Sequence, residues 1–537
     1  MKLSSHMLRY LELNGVEYAF GITAGTCGSL WDSINDTNIK PIITKNEAGA
    51  VYSATNYADI SGKLGLAILA GGVGINNAIN GIADANRRKL PLIVISGYVN
   101  RWQIGRGAIQ ELDTTYIVKP ITKYSNKVLS EANVMRELKK AMEIALTPPY
   151  GPVHLSIPMD LQLVDMDICM PTIIDRNILN RNPLFSNNEH IIDNIVETIN
   201  NTHKGIIFIG RGCKNISVAL RKLSEKTGWK IITTAEGKGI ISTDFKNNLG
   251  TYGFSGTDLA TKYVEDSGVG CILILGTSLG ESATRNYNEV LIQHRKVIHI
   301  DWDCNELNKV FKANIELEAN LDVCIPKILR LCNKKYSNQY IKGEFNKPYK
   351  CEHTGLSTRL MLENIENIMG DNYYVQSDIG EYMNFVFKYL PVHENTGFGI
   401  SLNYGAMGTA IGGSIGLALA NKGTRTVIIV GDGSFFMNGT EMLTAKEYNL
   451  DIVYLIINNA MLGYVEHGQN YIYKRESRHL TQQRISIRDM ALAMGIQAVS
   501  VKTIDEFLNT KDLINKTRGP LVIELITDGS EKIGRAH

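Results

Sequence analysis

The stretch that decides the fold of this chain is RTVIIVGDGSFFMNGTEMLTAKEYNLDIVYLIINN, from Arg425 to Asn459. It contains two apolar runs, the first ending at GDG and the second at a pair of asparagines. The runs predict buried strands over 425–430 and 451–457, with GDG as a turn and a short helix starting near Asn438. A strand, a helix and a strand in this length indicate a right-handed parallel crossover, so both strands end at the same edge of one sheet.

Asp432 and Asn459 follow these two strands, so we expect their side chains to lie side by side at the edge where open α/β sheets bind ligands. A carboxylate oxygen and an amide oxygen suit a hard cation such as Mg²⁺, which completes its shell with phosphate oxygens and water. Gly431 and Gly433 allow backbone N–H groups to approach a phosphate closely. Alone, GDG is more often a turn and NN a strand end. The single crossover that joins them favours a metal and phosphate site.

Strand-like and helix-like segments alternate through the rest of the chain, which is typical of parallel α/β domains. PLIVISG, CILILG and PLVIELI are examples of the short apolar runs. Two polar stretches, 175–190 and 333–353, interrupt the alternation and predict linkers. The predicted fold class is therefore α/β with three parallel-sheet domains, at 1–170, 190–332 and 353–537.

Composition excludes several classes of protein. The chain has 537 residues and a formal net charge of +2, and it contains no basic block that would favour nucleic acid or an anionic membrane. Its eight cysteines form no CxxC pair, which argues against a disulfide framework and a zinc site. The N-terminal residues lack the apolar core of a signal peptide. We expect a cytoplasmic protein in a reducing compartment.

The spacing of the quoted stretch, GDG followed by 24 residues and NN, resembles the cofactor motif of thiamine-diphosphate enzymes. This resemblance implies a Mg²⁺ ion held by Asp432, Asn459 and the backbone carbonyl of Met461. It also implies that Gly431, Gly433 and Ser434 contact the cofactor. The family's domain order, pyrimidine-binding, middle and diphosphate-binding, fits the three predicted blocks.

A second segment, Lys40 to Ala85, is similar to the same family along its whole length. Glu47 follows the strand-like run PIITK, and its position matches the glutamate that contacts the aminopyrimidine ring. A buried carboxyl with a raised pKa can share its proton with the ring nitrogen. Asn77 is implied as a further cofactor contact, and Asn46 stands where the family often has histidine. The resemblance also implies a homodimer or homotetramer in which the glutamate of one subunit meets the metal site of another.

Two further segments match cofactor-contacting parts of the family. Met407, within NYGAMGTAIGG, resembles the large apolar residue that supports the bent cofactor, although methionine commonly fills a core. Asp378 and Gly380 end the YYVQS run and resemble the segment that meets the diphosphate. An exposed loop acid is the alternative for Asp378.

Within the family, the chain most resembles acetolactate synthases and related carboligases. Gly97 to Asp113 resembles their segment with a Gln-Glu pair, here Gln110 and Glu111, and Lys123 matches a lysine at the entrance of their active site. The paired histidines of simple pyruvate decarboxylases are absent from this region. The resemblance implies decarboxylation of a small 2-oxo acid, with pyruvate expected, and transfer of the two-carbon unit to a second carbonyl compound. A non-carboligating decarboxylase and a thiamine-dependent acyl transferase or hydrolase are alternatives, and a catalytically silent, nucleotide-binding or regulatory subunit with the same fold is another.

The chain departs from the acetolactate synthase pattern at three positions. Gly468 replaces a tryptophan, Ser282 an arginine and Ile109 a phenylalanine, which implies an acceptor pocket of different shape. The adjacent His467 is a candidate substrate-facing group, with a satisfied surface or loop histidine as the alternative. FAD binding to the middle domain is left open. The glycine motif at 209–213 and the acids of HIDWD, 299–303, could serve FAD, but a plain turn and a strand end are favoured.

Overall fold

The computed structural model describes residues 1–179, 189–334, 355–475 and 482–531. It contains three six-stranded sheets whose strands all pair in parallel. Their strand orders are β2-β1-β3-β4-β6-β5, β12-β11-β10-β7-β8-β9 and β14-β13-β15-β16-β18-β17. The prediction of an α/β fold with three parallel-sheet domains is therefore confirmed.

The first sheet and its helices occupy the N-terminal part of the chain. Its strands are β1 Tyr18–Gly21, β2 Lys40–Ile43, β3 Gly65–Leu69, β4 Leu92–Tyr98, β5 Tyr124–Lys127 and β6 Pro152–Pro158. Its helices are α1 Leu3–Leu13, α2 Gly28–Ser33, α3 Glu47–Ser61, α4 Val73–Arg87, α5 Thr115–Val118, α6 Glu131–Leu146, α7 Met159–Gln162 and α8 Arg176–Leu179.

The second sheet forms the middle of the chain. Its strands are β7 Gly205–Ile209, β8 Lys230–Thr233, β9 Asn248–Thr251, β10 Cys271–Leu275, β11 Lys296–Asp301 and β12 Ile315–Glu318. Its helices are α9 Glu189–Asn201, α10 Ser217–Thr227, α11 Asp258–Val264 and α12 Leu321–Leu331.

The third sheet carries the quoted stretch. Its strands are β13 Tyr373–Ser377, β14 Gly397–Ile400, β15 Arg425–Gly431, β16 Ile452–Asn458, β17 Gln497–Val501 and β18 Leu521–Ile526. Its helices are α13 Thr358–Glu363, α14 Ile365–Met369, α15 Tyr382–Tyr389, α16 Thr409–Gly412, α17 Ser414–Ala420, α18 Asp432–Asn438, α19 Glu441–Glu447, α20 Gly463–Tyr473, α21 Ile487–Ala493, α22 Ile504–Leu508 and α23 Lys511–Lys516.

The crossover in the quoted stretch differs in one detail from its prediction. Strands β15 and β16 are parallel neighbours, with Gly431 opposite Ile457, as expected. However, the chain does not turn loosely at GDG, because α18 begins directly at Asp432 and α19 follows at Glu441. The crossover therefore contains two short helices, and the first brings the backbone N–H groups after Asp432 to the strand edge.

The N-terminal and C-terminal domains pack directly against each other through α3 and α17. Gly416 makes this approach feasible, because a Cβ atom at this position would overlap the carbonyl oxygen of Ser53. Side chains from both domains form one continuous apolar core that includes Ala54 and Ile415. The predicted domain bounds remain predictions, since the proposed linkers at 175–190 and 333–353 fall largely outside the described residues.

Candidate active site

Asp432 lies at the carboxyl edge of the third sheet, against the loop that follows β16. One carboxylate oxygen accepts from the N–H of Ala460 at 2.7 Å and the other from the N–H of Gly433 at 2.8 Å. The amide oxygen of Asn459, in the same loop, accepts from the N–H of Met461 at 3.2 Å. The structure therefore brings Asp432 next to the loop of Asn459 and Met461, and burial raises the pKa of the Asp432 carboxyl.

Asp378 is completely buried and joins two loops of this edge. Its carboxylate accepts from the N–H groups of Ile379 at 2.7 Å, Gly408 at 3.0 Å and Ala410 at 2.9 Å. Burial raises the pKa of the carboxyl to about 6. The interpretation of Asp378 as an exposed loop acid is therefore wrong. Because its oxygens bind backbone N–H groups, Asp378 holds the Met407 loop against the end of β13.

The glycines at this edge keep space between the loops. A Cβ atom on Gly433 would lie 3.1 Å from both Met407 Cε and Leu462 Cδ2. Gly408 has φ +83°, a left-handed conformation that favours glycine, and its carbonyl accepts from Asn438 Nδ2 at 3.1 Å. Met407 thus lies over Gly433, directly beside Asp432.

The hydroxyl of Ser434 and the ring of Tyr382 enclose the other side of the GDG loop. Ser434 Oγ donates to the carbonyl oxygen of Ile379 at 3.1 Å. A Cβ atom on Gly431 would lie 3.0 Å from Tyr382 Cε1, and one on Gly380 would overlap the same ring. Gly380, Gly431 and Ser434 therefore lie together with Asp432, as the motif analysis expected of one site.

Glu47 is half-buried at the first position of α3. Its carboxylate accepts from Asn77 Nδ2 at 3.0 Å, and the side chain of Asn46 caps the helix by accepting from the N–H of Ala48 at 2.7 Å. Asn46 therefore supplies an N-cap at the position where the family often has histidine. Within the described residues, no hydrogen bond connects Glu47 to Asp432 or Asn459.

Glu441, which no sequence motif indicated, fixes the segment that leads to Glu47. Its carboxylate reaches from α19 into the N-terminal domain and accepts from the N–H groups of Lys45 and Asn46, both at 2.9 Å. The side chain is fully buried, and burial raises its pKa to about 7. A Cβ atom on Gly49 would overlap this carboxylate, so Gly49 leaves room for it.

Gln110 and Lys123 lie at opposite edges of the first sheet. Gln110 contacts the segment after β1, where Thr26 Oγ1 donates to its Oε1 at 3.4 Å, and the turn that starts α4, where a Cβ on Gly72 would lie 2.8 Å from its carbonyl oxygen. Lys123 immediately precedes β5 and donates to the carbonyls of Ile144 at 2.6 Å and Thr147 at 2.7 Å. Burial lowers its pKa to about 8. The structure thus brings Gln110, but not Lys123, to the edge where α3 and α4 begin.

His467 forms a short hydrogen bond through Nδ1 with the Glu381 carboxylate, and both side chains are largely buried. A Cβ atom on Gly463 would overlap Glu381 and lie 3.4 Å from Asn459 Nδ2, so this pair lies beside the loop after β16. His467 is therefore a paired histidine on α20, which fits the alternative of a satisfied histidine. Gly468, next to it, is buried.

The other two departures from the family pattern lie in different surroundings. The side chain of Ile109 is 90% exposed. The Ser282 carbonyl accepts from the N–H of Phe254 at 2.8 Å within the middle domain.

The middle domain uses its candidate FAD motifs for packing. Gly212 donates its N–H to the carbonyl of Gly276 at 3.0 Å, and a Cβ on Gly210 would overlap the same oxygen. Asp303, in the HIDWD segment, accepts from Lys89 Nζ of the N-terminal domain at 2.7 Å. These contacts fit the turn and strand-end interpretations. Here the acid that could bind the ribose of FAD forms an interdomain ion pair.

The loops around Asp432 fit a divalent cation with a diphosphate. Both of the carboxylate's hydrogen bonds in the described chain come from backbone N–H groups, and its remaining lone pairs form no ion pair there, although the nearby charge of Arg484 acts to lower its pKa. The expected ligands, which are the Asp432 carboxylate, the Asn459 amide and the Met461 carbonyl, include only one acid. Within the described residues there is no cluster of three or more His, Cys, Asp or Glu able to hold a metal. An acid, an amide and a carbonyl are typical of Mg²⁺ bound jointly with phosphate.

Comparisons with known proteins agree with this geometry. The thiamine pyrophosphate enzyme models match in chain order: the N-terminal TPP binding domain at 1–117, the central domain at 192–328 and the C-terminal TPP binding domain at 378–525. No helix in the described part of the chain is long and apolar enough to cross a membrane.

Curated relatives resemble the chain over nearly its whole length. The large subunit of acetolactate synthase from Lactococcus lactis is 29% identical over 99% of this chain and 93% of its own length. The large subunit of acetolactate synthase isozyme 1 from Escherichia coli is 27% identical over 98% and 94%. Acetolactate synthase 1, chloroplastic, from Nicotiana tabacum is 25% identical over 99% and 82%. With all three domain models matched in order, the chain belongs to the thiamine pyrophosphate (thiamine diphosphate) enzymes.

Proposed function

We propose that the protein is a Mg²⁺- and thiamine-diphosphate-dependent carboligase of the acetolactate synthase type. It decarboxylates a small 2-oxo acid, pyruvate, and transfers the two-carbon unit to a second carbonyl compound. The observation that carries the proposal is the cluster of Asp432, Asp378 and Met407 with the Asn459 loop at one sheet edge. Full-length similarity to acetolactate synthases supports the choice of reaction.

The residues of the C-terminal domain would bind the cofactor's charged end. Asp432, Asn459 and the Met461 carbonyl would hold Mg²⁺, and Gly431, Gly433 and Ser434 would lie against the diphosphate. Asp378 would act through the Met407 loop, and Met407 would support the cofactor. Thiamine diphosphate itself supplies the stabilisation of the carbanion formed on decarboxylation. FAD is not part of the proposal.

The residues of the N-terminal domain would control protons. Glu47, oriented by Asn77, would share a proton with the aminopyrimidine ring, and Gln110 would face the substrate from the neighbouring turn. Glu47 has no hydrogen bond to the Asp432 cluster within the described residues of one chain. We therefore propose a homodimer or homotetramer with active sites between subunits. We also propose that the protein acts in the cytoplasm.

Product analysis tests this function. The protein is incubated with pyruvate, thiamine diphosphate and Mg²⁺, alone and with a panel of 2-oxo acids and aldehydes, and acetolactate or related ligation products are separated from acetaldehyde by mass spectrometry. The proposal predicts ligation products. Free acetaldehyde alone with every acceptor would instead establish a non-carboligating decarboxylase.

A further inference from the structure

The loop 401–404, which leads from β14 to Met407, is bound by side chains of both other domains. From the N-terminal domain, Asp84 forms a short hydrogen bond with Ser401 Oγ. Asn80, one turn earlier on α4, accepts from the Tyr404 hydroxyl at 3.1 Å. The stretch of chain before Met407 is therefore held at both its ends by one face of α4.

Glu236, in the middle domain, binds the centre of the same loop. Its Oε1 accepts from the N–H groups of Leu402 and Asn403, both at 3.1 Å, and its Oε2 accepts from Asn403 Nδ2 at 2.6 Å. Three donors thus converge on one carboxylate that follows β8. Charge-assisted hydrogen bonds of this kind fix a loop more firmly than neutral ones do.

Charged groups of two domains surround the Glu236 carboxylate. Burial raises the pKa of its carboxyl, while the nearby charge of Arg211 and the N–H groups of the loop act in the opposite direction. Arg211 itself binds Asp59 at 2.8 Å and the carbonyl of Arg88, so the middle domain is joined to the N-terminal domain at the same place. The carboxylate is therefore held in a charge cluster where three domains meet.

We propose that Glu236 is a positioning residue for the cofactor site, acting on Met407 through the loop 401–404. The inference rests on the proposed function and gives the middle domain a task in it. In the described residues, no hydrogen bond or ion pair joins Glu236 to Asp432 or Glu47, and its influence passes through the backbone of Leu402 and Asn403. Met407 lies four residues after Asn403 and over Gly433, so a shift of this loop displaces the apolar support beside the start of α18.

The test is calorimetric titration of the metal-free and cofactor-free protein with thiamine diphosphate in the presence of Mg²⁺. Glu236→Gln removes the negative charge that accepts all three of these donors, and the Asn403 amide turns over so that its Oδ1 meets the new NH₂. We expect the dissociation constant to rise about tenfold, the effect of replacing charge-assisted hydrogen bonds with neutral ones. Turnover at saturating cofactor stays within about twofold of wild type, because positioning lowers affinity without removing a reacting group.

A compensating variant separates positioning from general damage. Combining Glu236→Gln with Asn403→Asp reverses donor and acceptor across the same contact, and we expect affinity to return to within about threefold of wild type. Glu281→Gln, an exposed glutamate of the same domain, is the control and leaves affinity unchanged. If Glu236→Gln fails to fold, Asn403→Ala carries the test, with an expected rise of about threefold to tenfold.

Two results would overturn the inference. One is an unchanged dissociation constant in Glu236→Gln with only a lowered melting temperature of the cofactor-free protein, which would make Glu236 merely structural. The other is a double variant that binds no better than Glu236→Gln alone. A wild-type protein that binds no thiamine diphosphate would contradict the proposed function itself, so the two failures are distinguishable.

Discussion

At the scale of residues, whether a contact of the site can be predicted from the sequence depends on how far apart its partners lie in the chain. Asp432 and Asn459 could be paired from sequence because one parallel crossover carries both to the same edge. Glu441 could not, because its partner Asn46 lies 395 residues away and only the packing of two domains brings them together. Asp378 was identified, but its complete burial could not be foreseen from a polar segment after a strand.

Glu47→Gln tests the residue on which proton control is proposed to depend. The amide has the size of the Glu47 carboxyl and can still form hydrogen bonds, but it cannot exchange a proton with the cofactor ring. We therefore expect pyruvate turnover to fall by about 10²- to 10⁴-fold. Cofactor affinity, measured by calorimetry, changes much less. Glu131→Gln, at the first position of another helix of the same domain, is the matched control. Equal turnover in Glu47→Gln and wild type would remove Glu47 from the mechanism.

At the scale of elements, short helices place the reactive groups. The apolar runs predicted the central strands because buried parallel strands have continuous apolar sequence. Helix α18 was missed, since a DG pair favours a turn in isolation and only the strand-to-helix junction makes Asp432 a first helical residue. Helix α19 has a second role, because its Glu441 carboxylate accepts a hydrogen bond from the N–H of Lys45, just before α3.

The buried carboxyl of Glu441 predicts a pH dependence of stability. Burial raises the pKa of Glu441 from 4.5 in the unfolded chain to about 7, so the folded protein favours the protonated carboxyl. The contribution of this group to the free energy of unfolding is therefore fully present below pH 4.5 and is lost as the pH rises through 7. Glu441→Gln lacks the titration. We expect its melting temperature to rise relative to wild type between pH 5 and pH 8, with a free-energy difference of up to about 3 kcal/mol. Melting curves whose separation is constant over this range would contradict the assignment.

At the scale of the whole molecule, the two halves of the proposed site lie in separate domains. Glu47 and Asn77 form one half, and the loops around Asp432 form the other. Sequence similarity predicted both halves and their order, but the contacts of the middle domain required the structure. Lys89 and Asp303, for example, pair across domains from segments whose sequences show only a turn and a strand end.

Subunit complementation tests the proposed oligomer. Glu47→Gln and Asp432→Asn each disable one half of every site, so either variant alone is expected to be inactive. If sites form between subunits, mixed dimers contain one site with both substitutions and one with neither. Random mixing then restores about a quarter of wild-type activity. Activity that stays at the level of the separate variants, although mass spectrometry detects mixed dimers, would place each site within one subunit.

The central claim is that the Asp432 edge of the third sheet binds thiamine diphosphate through a divalent cation. Calorimetric titration of the cofactor-free protein, with and without Mg²⁺, measures this directly. We expect binding that requires Mg²⁺ and that Asp432→Asn weakens by at least about 100-fold, as the loss of a metal ligand should. Asp451→Asn, at a half-buried acid of the same crossover that pairs with Arg425, leaves it unchanged. Equal affinity in wild type and Asp432→Asn, or full binding in a chelator, would contradict the account.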